Sequence, residues 1–108
     1  MTVMTMDSDG ALLTAIAQGE RDALAKLYER YAGLMLGLAQ RILGDPREAE
    51  DLLHDVFLEI WRKAGHYDPT RGTVRTWILV RLRSRALDRC KAAGRARSVS
   101  FEDAPVQE

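Results

Sequence analysis

A single cysteine, Cys90, is all the thiol chemistry the sequence has. That excludes an internal disulfide and any cysteine-based zinc cluster, and it makes a reducing compartment the simpler reading. Two histidines, His54 and His66, are too few and too isolated for a recognisable metal site, so neither metal nor cofactor is expected. No segment approaches the roughly 20 apolar residues that span a bilayer, so no membrane insertion is expected. The opening "MTVMTMDSDG" has neither a basic region nor an apolar core; it reads as a frayed end, not a signal peptide. Prolines number only three, and 46% of the 108 residues are apolar, which suits one small domain with its own core.

Net charge is also absent, with 16 basic and 16 acidic residues, but the balance is uneven along the chain. Residues 1–60 hold five basic and eleven acidic residues; residues 61–108 hold eleven basic and five acidic. Between 62 and 97 all eleven of those basic residues meet only Asp68 and Asp88. An acidic half suited to a protein partner or to solubility, and a basic half suited to a polyanion, follow from this asymmetry.

Apolar residues recur at helical spacing over 11–18, 21–43 and 46–63. In the second segment Leu24, Leu27, Tyr28, Tyr31, Leu34, Leu38 and Ile42 share a face, and Gly44 is placed to end the helix. In the third, Asp45 is a natural N-cap, Pro46 fits the first helical position and Glu48 can reach back as in a capping box. The apolar stripe there is Ala49, Leu52, Leu53, Val56, Phe57, Ile60 and Trp61. "GHYDPTRGT" follows as an ordered loop, after which Thr73 can cap a helix from about Val74 to near Ala92. The predicted fold is all-α: three main helices plus a short N-terminal one over 11–97, between a flexible 1–10 and a linker or disordered tail at 98–108.

Arginine falls at alternate positions in "WILVRLRSRALDRCK", at Arg81, Arg83 and Arg85, as it would in a half-buried strand. Over a wider window the apolar residues step by three and four, so the segment is a helix. Arg81, Ser84, Arg85, Asp88 and Arg89 then share a polar face opposite Leu79, Leu82, Ala86 and Cys90, and Arg83 intrudes on the apolar side.

A helix with Arg81, Arg85 and Arg89 one turn apart, preceded by Arg71 and Arg75 and followed by Lys91, Arg95 and Arg97, suits a phosphate backbone. A solvated helix face is the alternative, and spacing alone does not choose between the two. Tyr67 and Trp77 lie beside this track, as aromatics that stack on single-stranded bases do; Trp77 has core packing as its plainer role. On the acidic helix Leu58 stands among Asp51, His54, Asp55 and Arg62. It is either an incidental surface leucine or the anchor of a docking site with a polar rim.

The run "GDPREAEDLLHDVFLEIWRKAGHYDPTRGTVRTWILVRLRSRALDRCK" resembles region 2 of bacterial sigma factors of the extracytoplasmic-function type, with "EAEDLLHDVFLEIW", "YDPTRGTVRTWI" and "RALDR" in the family's order and spacing. The resemblance covers roughly residues 11–97. It implies a cytoplasmic transcription-initiation module, not an enzyme, that binds core RNA polymerase and recognises and melts the promoter minus-ten element. It gives Glu48, Asp51, His54, Asp55, Leu58 and Arg62 the docking of the clamp coiled coil of the polymerase's largest subunit. It gives Tyr67, Arg71 and Thr73 the capture of a base flipped from the non-template strand, and Arg75, Trp77, Arg81, Ser84, Arg85 and Arg89 the track for that strand. An anti-sigma factor is a further implied partner. Many family members carry Asn where Ser84 stands, so the preferred base is expected to differ. The family's second domain, the helix-turn-helix of region 4, is expected to be missing, through a shortened chain or a naturally short protein.

A decoy of the same shape, binding an anti-sigma factor without DNA, is the second reading; the arginine density from 71 to 97 argues against it. Paired carboxylates at Asp51 and Asp55 lack a partner for enzyme chemistry. Asp88 and the need for an apolar face in the core weigh against a membrane-surface helix.

Overall fold

A computed structural model describes residues 8–94, and helices α1 (Asp9–Ala17), α2 (Arg21–Leu43), α3 (Pro46–Lys63) and α4 (Val74–Ala92) make up most of them. Two single-turn 3-10 helices, Ala64–His66 and Pro69–Arg71, lie between α3 and α4, and no strand occurs among the described residues. The predicted bounds of the three long helices agree with these. The tail, with Arg95 and Arg97, and residues 1–7 lie outside the described residues.

The helix ends follow from local chemistry. Gly44 takes φ 75°, a left-handed conformation that costs glycine little, and its N–H closes on the Gln40 carbonyl at 2.8 Å. Asp45 follows directly, and its Oδ1 accepts from the N–H groups of Arg47 at 2.8 Å and Glu48 at 3.4 Å. So short a connection folds α3 back antiparallel on α2. Thr73 Oγ1 accepts from the Thr76 N–H at 3.1 Å and starts α4.

The first helix begins earlier than the sequence suggests. Ser8 caps it, accepting from the Ala11 N–H at 3.1 Å, so Asp9 and Gly10 belong to the helix and not to a flexible end. The missed signal is long-range: Asp9 accepts from the Tyr31 hydroxyl and, at 2.7 Å, from Arg30 Nη1, which ties α1 to α2.

One core joins all four helices, built from Leu12, Leu13 and Ile16, then Leu27, Met35 and Ile42, then Leu52, Val56 and Ile60, then Ile78, Leu82, Ala86 and Cys90. The Cys90 thiol donates to the Ile42 carbonyl at 3.4 Å, so α4 ends beside the end of α2. The buried face of α2 differs from the predicted one. It is Ala23, Leu27, Tyr31, Met35, Ala39, Ile42 and Leu43, while Tyr28 and Leu34 are exposed and Leu24 and Leu38 half-buried. Four-residue steps from Ala23 to Ala39 set the packed row, and Met35 and Ala39 fill it where larger leucines stand aside.

Helix α4 likewise has more than two faces. Val74, Ile78, Leu82, Ala86 and Cys90 are buried at steps of four. Trp77, Arg81, Arg85 and Arg89 form one half-buried flank, and Leu79, Arg83 and Leu87 the other. Thr76, Val80, Ser84 and Asp88 are the exposed row. Arg83 is therefore no intruder in the core: the alternating arginines lie on two flanks, Arg81 and Arg85 on one and Arg83 on the other.

Candidate nucleic-acid interface and docking face

The loop between α3 and α4 is built by its own polar groups. Asp68 Oδ1 accepts from the Thr70 N–H at 3.0 Å and its hydroxyl at 2.7 Å, closing the Pro69–Arg71 turn. These bonds, the side-chain one foremost, hold the Asp68 carboxyl below the usual carboxylate range. Gly72 takes φ 149°, which side-chain-bearing residues rarely adopt. Its carbonyl accepts from the Tyr67 hydroxyl at 2.8 Å, so the loop is laced across its mouth.

Tyr67 meets Trp77 edge-on, with ring centroids 5.9 Å apart and planes at 70°. The Arg81 guanidinium lies over the Trp77 ring, 4.1 Å from its centroid. Around them His66, Asp68, Arg71, Gly72, Thr73, Thr76 and Val80 complete a cleft of about 290 Å³. Of the residues expected at the base-binding pocket and track, Tyr67, Arg71, Thr73, Trp77 and Arg81 line this one cleft. Ser84 stands on the exposed row of α4 beyond it, and Arg75 is exposed on the first turn. Both aromatics are partly buried against the core, so the choice between packing and ligand contact is not exclusive.

The arginines of α4 are less available than their spacing suggests. Arg85 donates to Glu59 of α3 from Nε at 3.1 Å and Nη2 at 3.0 Å. Arg81 Nε stands 3.5 Å from the same carboxylate and Lys63 Nζ 3.8 Å from it. Arg89 pairs with Asp55, and Arg85 Nη1 also lies 3.7 Å from Asp88. The hydrogen bonds to Glu59, then its charge, raise the Arg85 pKa further, so that side chain stays charged. By contrast Arg71, Arg75, Arg83 and Lys91 show no ion pair among the described residues.

Glu59, only 6% exposed, was missed by the sequence reading, which saw a continuous apolar stripe. A signal was there: acids at Asp55 and Glu59, four apart on one helix, match arginines at 81, 85 and 89, four apart on the next. Antiparallel packing turns those two ladders into pairs. Val80, 58% exposed at the cleft, was missed too, because an exposed valine on a helix has no sequence signature.

On the other side of α3, Leu58 is 56% exposed. Asp51, His54, Asp55 and Arg62 are exposed around it on the same helix, and Glu48 is half-buried at its start. All six expected docking residues thus lie on α3, with Asp55 shared with the α4 contact through Arg89.

Residues 27–96 match the family described as Sigma-70 region 2, and the chain belongs to that family. Its relatives put it in the extracytoplasmic-function branch. It is 39% identical over 102 residues to the ECF RNA polymerase sigma factor SigK of Mycobacterium ulcerans (strain Agy99), covering 93% of this chain and 54% of that protein. It is 38% identical over 89 residues to the SigK of Mycobacterium sp. (strain KMS), covering 82% and 46%. The SigK of Mycobacterium tuberculosis (strain ATCC 25177 / H37Ra) is 34% identical over 98 residues, covering 89% and 52%. The chain spans about half the length of the curated relatives it matches. No helix among the described residues is long and apolar enough to cross a membrane.

Proposed function

We propose that this domain serves transcription initiation as the part of a sigma factor that docks on core RNA polymerase and holds the melted non-template strand of the promoter minus-ten element. The observation that carries the reading is the loop cleft: Tyr67 and Trp77 at a fixed corner, a cation over one ring, exposed Arg71 in its lining, and Arg75 exposed on the first turn of the helix that follows. Such a corner offers a flipped base a stacking surface, and the neighbouring arginines offset the cost of flipping by holding phosphates. Thr73 and Ser84 add hydroxyls that accept and donate along the same path. The work belongs in the bacterial cytoplasm, where the polymerase is, and an anti-sigma factor would act by covering either face.

Docking falls to the exposed face of α3, with Leu58 as its apolar anchor and Asp51, His54, Asp55 and Arg62 as its polar rim. The clamp coiled coil of the polymerase's largest subunit is the proposed partner. A decoy that never meets DNA would have no use for Arg71 and Arg75, which are exposed and show no ion pair among the described residues.

Those two arginines give the direct test. Replacing Arg81, Arg85 and Arg89 together would also strip Glu59 and Asp55 of partners, so loss of binding could follow from a damaged fold. Arg71→Ala with Arg75→Ala leaves every described ion pair intact. The double variant is expected to bind a single-stranded minus-ten oligonucleotide more weakly, with the slope of log K against log salt reduced by about 0.7 for each lost phosphate contact. An unchanged slope rejects the proposed track.

A further inference from the structure

Glu59 is buried, and a docking face centred on Leu58, about 100° away around α3, leaves it without a task. Its position is not neutral. The carboxylate sits under the flank of α4, takes a two-pronged contact from Arg85, and has Arg81 Nε 3.5 Å away. Arg81 Nε is itself buried with no hydrogen-bond partner among the described atoms, so the attraction of Glu59 is what its inner edge meets. The outer part of the same guanidinium covers Trp77, and Trp77 meets Tyr67, whose hydroxyl ties back to Gly72. One carboxylate thus stands at the root of a chain of contacts that ends at the cleft mouth.

A guanidinium between an anion and a ring is held from two sides. The anion removes its freedom to swing into solvent, and the ring takes the remaining face. Without the anion, Arg81 would be free to reach a phosphate, and Arg85 would keep only its exposed contact with Asp88. The carboxylate therefore does two things at once: it fixes one wall of the cleft and withholds two cations from the nucleic-acid backbone.

We propose that Glu59 is the positioning residue of the cleft, holding Arg81 flat on Trp77 so that the Tyr67–Trp77 corner meets a base pre-formed, and biasing the site toward bases over bare phosphate. This rests on the reading of the cleft as a strand-binding site. It assigns discrimination to a residue that touches neither base nor phosphate.

Glu59→Gln keeps the shape and one acceptor for Arg85 but drops the charge. Binding is measured to a ten-residue oligothymidylate and to a ten-residue strand of abasic deoxyribose phosphates, which carry the same backbone charge. In the wild-type protein the bases should be preferred. In the variant, affinity for the abasic strand should rise at low salt, with a slope steeper by about 0.7 per released guanidinium, and the base-over-abasic ratio should fall about fivefold. A side chain that merely stabilised the fold would lower the melting temperature and leave slope and ratio unchanged.

A second arm needs no DNA. The Arg81 side-chain protons lie over the Trp77 ring, so their resonances should be ring-current shifted in the free wild-type protein and lose that shift in Glu59→Gln. Should that variant not fold, Glu59→Asp, which withdraws the charge by one methylene, is read by the same two measurements. A retained ring-current shift overturns the inference whatever the DNA does. A lost shift with an unchanged ratio overturns it as well, because the cleft would then not depend on where Arg81 sits. Absence of base preference in the wild-type protein overturns the strand-binding reading itself, while the ring-current result still decides whether Glu59 positions Arg81.

Discussion

Arg85→Ala is the sharpest test of what joins α3 to α4. The substitution removes two charge-assisted hydrogen bonds, at 3.1 and 3.0 Å, from a carboxylate whose side chain is 8% exposed. Removing one partner of a fully buried ion pair costs about 3–5 kcal/mol, because the other charge is left without compensation. Two features reduce that here. Arg81 and Lys63 remain at 3.5 and 3.8 Å from Glu59, and Arg85 itself is 43% exposed, so part of its attraction is already screened by water. A loss of about 2 kcal/mol is expected. With a urea dependence of about 1 kcal/mol per molar for a domain this small, the unfolding midpoint should fall by about 2 M. Arg89→Ala is the internal control. Its pair with Asp55 is 34% and 60% exposed, and its loss should cost under about 1 kcal/mol. Raising sodium chloride from about 0.05 M to about 0.5 M should shrink the Arg89 effect and leave most of the Arg85 effect in place. Equal losses for the two variants, or equal salt sensitivity, would refute the view that Glu59 makes one of these pairs different in kind.

Four further outcomes are expected. Tyr31, 8% exposed, has its pKa pushed up to about 12 by burial first and then by its hydrogen bond to Asp9. Its protonated form therefore stabilises the fold fully below the unfolded value near 10, and that contribution is lost as pH rises from there through about 12; Tyr31→Phe should flatten this alkaline limb in urea titrations. The Asp68 carboxylate favours the loop turn above the ordinary carboxylate pKa and gives up that contribution as pH falls through its lowered value; the Thr70 amide resonance should titrate below the usual carboxylate range, and titration at an ordinary value would count against the turn. Gly44→Ala, at φ 75°, should cost about 1 kcal/mol by thermal unfolding, although no atom stands in the way of the added methyl. Leu58→Asp should abolish capture of core polymerase in a pull-down while helical circular dichroism stays unchanged; retained capture would move the docking face elsewhere.

Much of the fold was legible because its signals are local. Gly44, Asp45, Pro46 and Thr73 mark helix ends through their own backbone chemistry, and the long helices begin and end where those residues stand. The start of α1 was not legible, since Asp9 is recruited by Tyr31 and Arg30, more than twenty positions away. The rows of α4 were only half legible. A helical wheel sorts residues by angle and shows one polar and one apolar face, whereas the packed helix buries a row that steps by four and drifts around the axis. Two residues of helix, about 200°, already set Arg83 apart from Arg81, and the packing turns Arg81, Arg85 and Arg89 toward α3. The loop residues were picked out by type, but the contact of Tyr67 with Gly72, and the stack of Arg81 on Trp77, depend on a helix junction that no window of sequence contains.

The same packing changes the meaning of the uneven charge. Read along the chain, an acidic first half and a basic second half suggest two separate partners. In the folded molecule part of that asymmetry is spent internally, with Asp55 and Glu59 on α3 against Arg81, Arg85 and Arg89 on α4. What is left for partners includes Arg71 at the cleft, Arg75 on the first turn of α4, Arg83 and Lys91 farther along α4, and the rim around Leu58. Leu58 and Glu59 are consecutive, and a turn of about 100° per residue sends one outward and the other toward α4. A single helix therefore carries the proposed polymerase anchor on one face and the root of the cleft on the next. Any shift of α3 on docking would move Glu59, and with it Arg81. Capture of a base should accordingly respond to an added clamp peptide in the wild-type domain, and that response should vanish in Glu59→Gln.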